Sequence, residues 1–207
     1  MGFYESRILP RLIDWGCGVG AITEQRERIV PRARGRVLEL GIGSGRNIPL
    51  YDAEKVELVW GVDPSPELYR MAVDRAAGLP FPVRFFVRAA DEPGLALPDG
   101  SVDTVVVTYA LCTIPDPVTA LKEARRTLAP GGELLFAEHG RSPDPSVRRW
   151  QERVTPVWRH ATGGCRLDRD PLAILAAAGF RVVEVDTGYV PGWKPASWHY
   201  VGVAVAA

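Results

Sequence analysis

The stretch RVLELGIGSG, residues 36–45, constrains this chain more than any other ten residues in it. A short apolar run leads directly into glycines at every second position, Gly41, Gly43 and Gly45. Where a strand ends in such a turn, free backbone N–H groups face outward and can hold a nucleotide. A second glycine run, DWGCGVG at residues 14–20, follows a helical apolar stripe instead of a strand. Its glycines are expected to break a helix or make a turn, not to line the pocket.

From residue 36 the chain alternates between two kinds of segment. VLEL, VELVWGV, VRFFV, TVVVTY and GELLFAE read as short strands rich in Val and Phe, and RVVEVDT and SWHYVGVAV read as two more. PELYRMAVDRAAG, DPVTALKEARRTL and DPLAILAAAG read as helices, the last with Gly179 as its C-cap. Near-continuous apolar strands alternating with helices predict a parallel sheet covered on both faces. No linker divides the 207 residues, so residues 1–207 are expected to form one α/β domain. Residues 1–30 are a helical preamble, with Ile8, Leu9, Leu12, Ile13 and Trp15 in an apolar stripe interrupted by Pro10, then charged TEQRER.

Spacing and charge then narrow the ligand. Gly41, Gly43 and Gly45 give G-x-G-x-G, whereas a dinucleotide fingerprint is G-x-G-x-x-G. Glu39 beside the turn repels a pyrophosphate and attracts a cation, and Asp63 at the end of the second strand suits the two hydroxyls of a ribose. Together they fit a nucleoside that carries an ammonium and no phosphate; the other reading is an NAD-type turn with unusual spacing. Lys plus Arg and Asp plus Glu balance at 25 each, so no global field gathers nucleic acid or anionic lipid, which favours a small-molecule partner. Cys17, Cys112 and Cys165 are too far apart in sequence to suggest a disulfide framework or a metal site. No signal segment precedes the sheet, so the cytosol is the expected compartment. MGFYES fits the pattern for lipidation at Gly2, a pattern common by chance, and is read as an ordinary N-terminus.

ELGIGSG, GVDPS, LPDGSVDTVVVTYAL and LKEARRTLAPGGELLFAEH, in that order, resemble the class I S-adenosylmethionine-dependent methyltransferases, in the branch of the ubiquinone-biosynthesis enzymes. The resemblance covers roughly residues 30–140 and implies a Rossmann-like, seven-stranded, mostly parallel sheet whose last strand is antiparallel. It implies S-adenosylmethionine as cofactor and S-adenosylhomocysteine as its product. By family position Glu39, Gly41, Gly43 and Gly45 would hold the methionine part and Asp63 the ribose. Pro64 or Ser65 would flank the adenine, Ala90 and Asp91 would touch it, and Thr108 would line the sulfonium end. RAADEPGLALPDGS is one residue longer than the usual pattern, leaving Asp91 and Glu92 as alternatives at the adenine amine. Asp103 and Pro130–Gly132 read as structural.

Methyl transfer to a nucleophile needs alignment and exclusion of water more than a fixed catalytic group. The acceptor half is therefore harder to read than the cofactor half. His139, after the fifth strand, and His160 are candidate bases, and Tyr109 either positions an acceptor or fills a wall. Cys165 is expected to be packing. Trp150, Val154 and Trp158, four apart, either roof an apolar substrate or pack a helix on the sheet. WQERVTPVWRHATGGCRLDR is similar to the alkyl-thiol S-methyltransferases of the methyltransferase-like group, whose eukaryotic members carry an N-terminal membrane anchor that this sequence does not show. TYALCTIPDP is similar to bacterial phosphatidylethanolamine N-methyltransferases, which visit membranes through an amphipathic N-terminal helix. Residues 5–15 would then either touch a membrane surface transiently or lid the pocket.

The expected activity is methylation of a small lipophilic nucleophile, a thiol ahead of a lipid amine and a quinone precursor. A non-catalytic S-adenosylmethionine-binding protein is the competing class. Residues 31–140 would be the cofactor-binding core and 141–207 the acceptor side.

Overall fold

The computed structural model describes residues 7–207; Gly2 and its lipidation pattern lie outside them. Seven strands form one sheet: β1 (Gly35–Leu40), β2 (Val56–Asp63), β3 (Val83–Val87), β4 (Val102–Thr108), β5 (Leu128–His139), β6 (Phe180–Tyr189) and β7 (Trp198–Ala206). Their order is β3-β2-β1-β4-β5-β7-β6. The first five run parallel, while β7 is antiparallel to both β5 and β6. All seven strands read from the sequence are present. The order reverses at β1, which opens a crevice beyond the carboxyl ends of β1 and β4, where ligands bind in open α/β sheets.

Successive side chains of the central strands point to opposite faces, and both faces are apolar. Leu38, Leu40, Val105, Val107, Leu134 and Phe136 belong to one buried cluster. Val37, Val59, Val106, Leu135 and Ala137 belong to the other. This two-faced burial explains why the strands read as continuous hydrophobic runs rather than alternating ones.

Among the described residues, six helices pack around the sheet: α1 (Leu9–Cys17), α2 (Gly20–Ile29), α3 (Pro66–Ala76), α4 (Pro117–Thr127), α5 (Pro145–Ala161) and α6 (Pro171–Ala177). The last four begin the same way, with a Ser or Asp side chain accepting from the first turn and a proline just inside it. Such a cap satisfies an orphan N–H, and proline sacrifices a donor that had no partner. Pro10 sits likewise in the first turn of α1, so it starts that helix rather than interrupting the stripe. TEQRER is not a connector; it lies within α2. Within DWGCGVG, Gly18 and Val19 make the break between the two helices, while Asp14–Cys17 complete α1, and the run packs over the cradle. A Cβ at Gly18 would lie 2.5 Å from the Arg46 guanidinium.

Candidate active site at the carboxyl edge of the sheet

The glycine turn follows β1 as the sequence predicts, but its N–H groups are not free: Gly41 and Ile42 donate to the Val62 carbonyl (2.8 and 3.2 Å) and Gly45 to the Ile42 carbonyl (2.9 Å). Gly41, Gly43 and Gly45 take φ of 70°, 53° and 82°, which L side chains rarely adopt. Gly41 is also sterically fixed, because a Cβ there would stand 2.5 Å from the Ala110 Cβ after β4. At Gly43 a Cβ would meet only ordinary van der Waals contacts, the nearest atoms lying 3.9 Å away. Asp63 ends β2 and braces the turn: its Oδ2 accepts from the Gly43 N–H (3.0 Å) and its Oδ1 from the Ser65 N–H (2.9 Å). Burial raises its pKa. A carboxylate offers about four lone-pair positions, so two remain for incoming hydroxyls.

Glu39 and Thr108 are placed differently from what their family positions imply. Glu39 is fully enclosed and accepts from the Asn47 Nδ2 (2.9 Å) and the Tyr51 hydroxyl (2.6 Å). Burial pushes its carboxyl up to about 7. Thr108 Oγ1 accepts from Asn47 (2.9 Å) and from Arg26. Both residues form the floor of the cradle instead of its open surface. Arg26, from α2, is buried over this floor, also donates to Asn47 Oδ1 (2.9 Å), and keeps an Nε–H with no partner. Sequence reading missed Arg26 because TEQRER looks like a solvated charge run.

Helix α1 closes over the same turn. Asp14 accepts from Ser44, Arg46 and Arg75 at 2.5–3.0 Å. Burial opposes its charge, but those donors outweigh it and hold the carboxyl at about 2. Pro64 is exposed beside the turn, while Ser65 caps α3 by accepting from Leu68 N–H (3.2 Å). Ala90 packs on the core, and Asp91 Oδ2 accepts from the Asp116 N–H (2.9 Å). Asp91 therefore ties the segment after β3 to the start of α4.

The acceptor side gathers at the ends of β4 and β5. Tyr109 has φ 54°, the one non-glycine among the described residues with positive φ, a conformation costing about 1–2 kcal/mol. Its hydroxyl meets His199 Nδ1 at 3.0 Å, and its ring lies 6.4 Å from that of His139. Burial holds the Tyr109 phenol well above its ordinary range and pushes His199 down to about 4, so the two pair as neutral groups. His199 on β7, opposite His139 in register, escaped the sequence reading because it lies inside an apolar strand.

His139 meets Cys165, with Nε2 3.3 Å from Sγ. Cys112 Sγ completes a group whose ligand atoms all lie within 4.8 Å of one another. A hydrogen bond from Cys165 and the charge of His139 hold the Cys112 thiol well below its usual range. Cys112 and Cys165, which offer no metal-ligand spacing along the chain, thus lie together with His139, and Cys165, expected to be packing, contacts that histidine. His160 is not part of this group. It lies exposed at the end of α5, with Nδ1 2.7 Å from the Pro156 carbonyl.

Helix α5 buries Val147, Gln151 and Thr155 against the domain, so its neighbouring Trp150, Val154 and Trp158 stripe is not the packing face. Trp150 is exposed, whereas Trp158 stacks on Trp193 at 5.1 Å between ring centroids. Of the stripe, Trp158 reaches the acceptor side.

A family model described as a methyltransferase domain matches residues 19–185. The human protein named thiol S-methyltransferase TMT1B is 36% identical over 178 residues, spanning 84% of this chain and 72% of its own. Phosphatidylethanolamine N-methyltransferase of Cereibacter sphaeroides is 32% identical over 65% of this chain and 67% of its own. Among solved structures, a SAM-dependent methyltransferase from Thermotoga maritima, a possible histamine N-methyltransferase, superposes with a TM-score of 0.65. It is 23% identical, and the match covers 98% of this chain and 97% of that one, a likeness of fold.

Proposed function

The chain belongs to the methyltransferase domain family, and from that premise we propose that it transfers a methyl group to the sulfur of a small lipophilic thiol. Its cofactor is S-adenosylmethionine, which supplies a methyl group on a sulfonium that already carries its leaving group. The cradle fits that cofactor: Gly43 puts no side chain over the turn, Asp63 has lone pairs to spare, and Arg26 holds a buried donor without a partner. Asp63 would take the ribose hydroxyls, the glycine turn the methionine backbone and Arg26 its carboxylate. Ser65 and Pro64 would flank the adenine, with Ala90 and Asp91 at its edge.

The thiol reading is carried by one observation, the 36% identity to a thiol S-methyltransferase over most of the chain. The residues at the acceptor edge agree with it. Tyr109 and His199 enclose the site as neutral partners, Trp158 and Trp193 supply an apolar wall, and α1 excludes water from above. Residues 31–140 would supply most of the cofactor core, with Arg26 added from α2, while the acceptor side would combine Tyr109, Cys112 and His139 with groups from residues 141–207 of a single domain. A screen with methyl-labelled cofactor against alkyl thiols, phosphatidylethanolamine, phenols and quinone precursors tests this. Label in the thioether supports it; label confined to lipid amine, phenol or quinone carbon overturns it.

Helix α1 would also touch membrane surfaces, where lipophilic acceptors concentrate. Leu9 and Ile13 approach the loop at Gly163, which leaves Ile8, Leu12, Trp15 and Val19 exposed. With no net charge to attract anionic lipid, such binding rests on apolar burial and survives added salt. Sedimentation with neutral liposomes that falls in Trp15→Ser supports this, and equal sedimentation leaves α1 as a lid alone.

A further inference from the structure

Three soft donors from distant parts of the chain converge at the acceptor edge. Cys112 follows β4, His139 closes β5, and Cys165 stands in the loop between α5 and α6. We propose that Cys112, His139 and Cys165 form a three-ligand zinc site whose fourth coordination position takes the sulfur of the acceptor. The metal site stands on geometry alone; the assignment of its fourth ligand rests on the thiol reading above.

Distances come first. A tetrahedral zinc with Zn–S of about 2.3 Å and Zn–N of about 2.0 Å places its ligand atoms about 3.5–3.8 Å apart. Here all three lie within 4.8 Å of one another, and the Cys165 sulfur is 3.3 Å from His139 Nε2. Small side-chain rotations close the remaining gap.

The backbone around the cluster is built to hold it. Glu138 is buried beside His139 and its Oε1 accepts from the N–H groups of Ala110 (2.7 Å) and Leu111 (3.1 Å), which sets the approach to Cys112. Arg166 N–H donates to the Cys112 carbonyl at 2.9 Å, and Arg141 N–H to the Arg169 carbonyl at 2.6 Å. The Arg169 guanidinium binds the carbonyls of Leu111 and Ile114. The loop carrying Cys165 is thus stitched to the ends of both strands, and the three donors are preorganised rather than brought together by a free loop.

His139 turns its Nε2 toward the two sulfurs, hydrogen-bonding Cys165 Sγ, so its ligating nitrogen already faces the centre of the cluster.

Ligand chemistry selects the metal. Thiolate and imidazole donors favour zinc over hard cations, and three protein ligands with an open fourth position are the arrangement of catalytic zinc sites. Two thiolates and a neutral imidazole around a dication carry no net charge, so the filled site costs little in a buried setting. A bound acceptor thiolate then leaves one negative charge, opposite in sign to the sulfonium. The place is right as well: Ala110, two residues before Cys112, is the residue that abuts Gly41 in the cradle.

The reaction balances without an oxidant or reductant. The thiol loses its proton to solvent as its sulfur binds zinc, because a coordinated thiol is deprotonated at neutral pH. A sulfur–carbon bond forms to the methyl carbon as the sulfonium carbon–sulfur bond breaks, its electron pair staying on the departing sulfur. S-adenosylhomocysteine and a neutral thioether result, and the thioether, a weaker ligand, leaves.

The test uses the full chain reduced with a phosphine, loaded with zinc chloride or cobalt(II) chloride and desalted. Elemental analysis should give one metal per chain, and the cobalt form should show thiolate-to-cobalt charge transfer with the strong visible bands of tetrahedral cobalt. Cys165→Ser and His139→Ala, checked for native folding by circular dichroism, should each bind zinc at least tenfold more weakly. Butanethiol should shift the cobalt spectrum, and butanol should not. Metal-free protein, or full affinity in both variants, overturns the site. Metal binding with no spectral response to butanethiol and no thioether product would defeat the thiol reading while leaving the site standing. Thioether formation at an equal rate by protein stripped of metal would do the reverse, and would make the cluster a thiol–imidazole pair.

Discussion

The two ends of the crevice are built on different principles. At the cofactor end the groups proposed to meet the ligand centre on one glycine turn and the carboxylate that ends the next strand, with Arg26 reaching in from α2 and Ala90 and Asp91 at the adenine edge. At the acceptor end they are side chains from residues 109, 112, 139, 165 and 199, held by three strands and a loop. The first solution follows from local sequence spacing and any chain sharing it shares the pocket. The second is a product of tertiary packing, and can change chemistry by changing one side chain.

If the division is real, variants on one side should leave the other unaffected. The largest expected effect is at Asp63. Hydrogen bonds from ribose hydroxyls to a carboxylate are charge-assisted and contribute about 1.5–3 kcal/mol each. Asp63→Ala should therefore weaken S-adenosylmethionine binding by about 100-fold in calorimetry, with little change in the acceptor KM. Equal losses for cofactor and acceptor would break the comparison.

Next is the proton on Glu39. Its carboxyl is raised to about 7 by burial, so between its ordinary range near 4.5 and that value the folded chain binds more protons than the unfolded chain. Folding stability is then fullest below pH 4.5 and falls as pH rises toward 7, with a slope of at most about 1.4 kcal/mol per pH unit. Burial raises Glu138 to about 8, which adds to this decline, and lowers His199 to about 4, which opposes it, so the comparison is between variants: urea denaturation across pH 5–8 should show a shallower decline in Glu39→Gln than in the wild-type chain. The same slope in both would show that Glu39 does not titrate in this range.

The smallest expected effect belongs to the apolar wall. Trp158→Ala removes the stack on Trp193 and should raise the KM of a lipophilic acceptor by about tenfold, about 1.4 kcal/mol of lost burial. Cofactor affinity should hold. A matching loss of cofactor binding would mean that α5 supports the cradle too.

The same division decides what could be read from the sequence. Seven strands were legible because both faces of the sheet are buried, which writes continuous apolar runs between glycine and proline punctuation. The glycine turn and Asp63 were legible because they lie on adjacent strands at a fixed spacing. Glu39 and Thr108 were legible as residues beside the turn but not as its buried floor: Asn47, Tyr51 and Arg26 fill the space between them, and no sequence period announces such a polar network. Pro10 was read as a break because its position in the turn depends on where α1 begins. Cys112, His139 and Cys165 meet only once β4, β5 and the loop after α5 are laid side by side, so metal-ligand spacing along the chain could not reveal them.

The central claim is that sulfur is the acceptor atom, and a competition addresses it most directly. The full chain, loaded with zinc, would be given trideuteromethyl-labelled S-adenosylmethionine and an equimolar mixture of hexanethiol, hexylamine and 4-hexylphenol. Mass spectrometry would then partition the label. The account predicts label in the hexyl methyl thioether, formed in step with S-adenosylhomocysteine, and none above background in the amine or phenol. Label in the amine or the phenol, with none in the thioether, would contradict it.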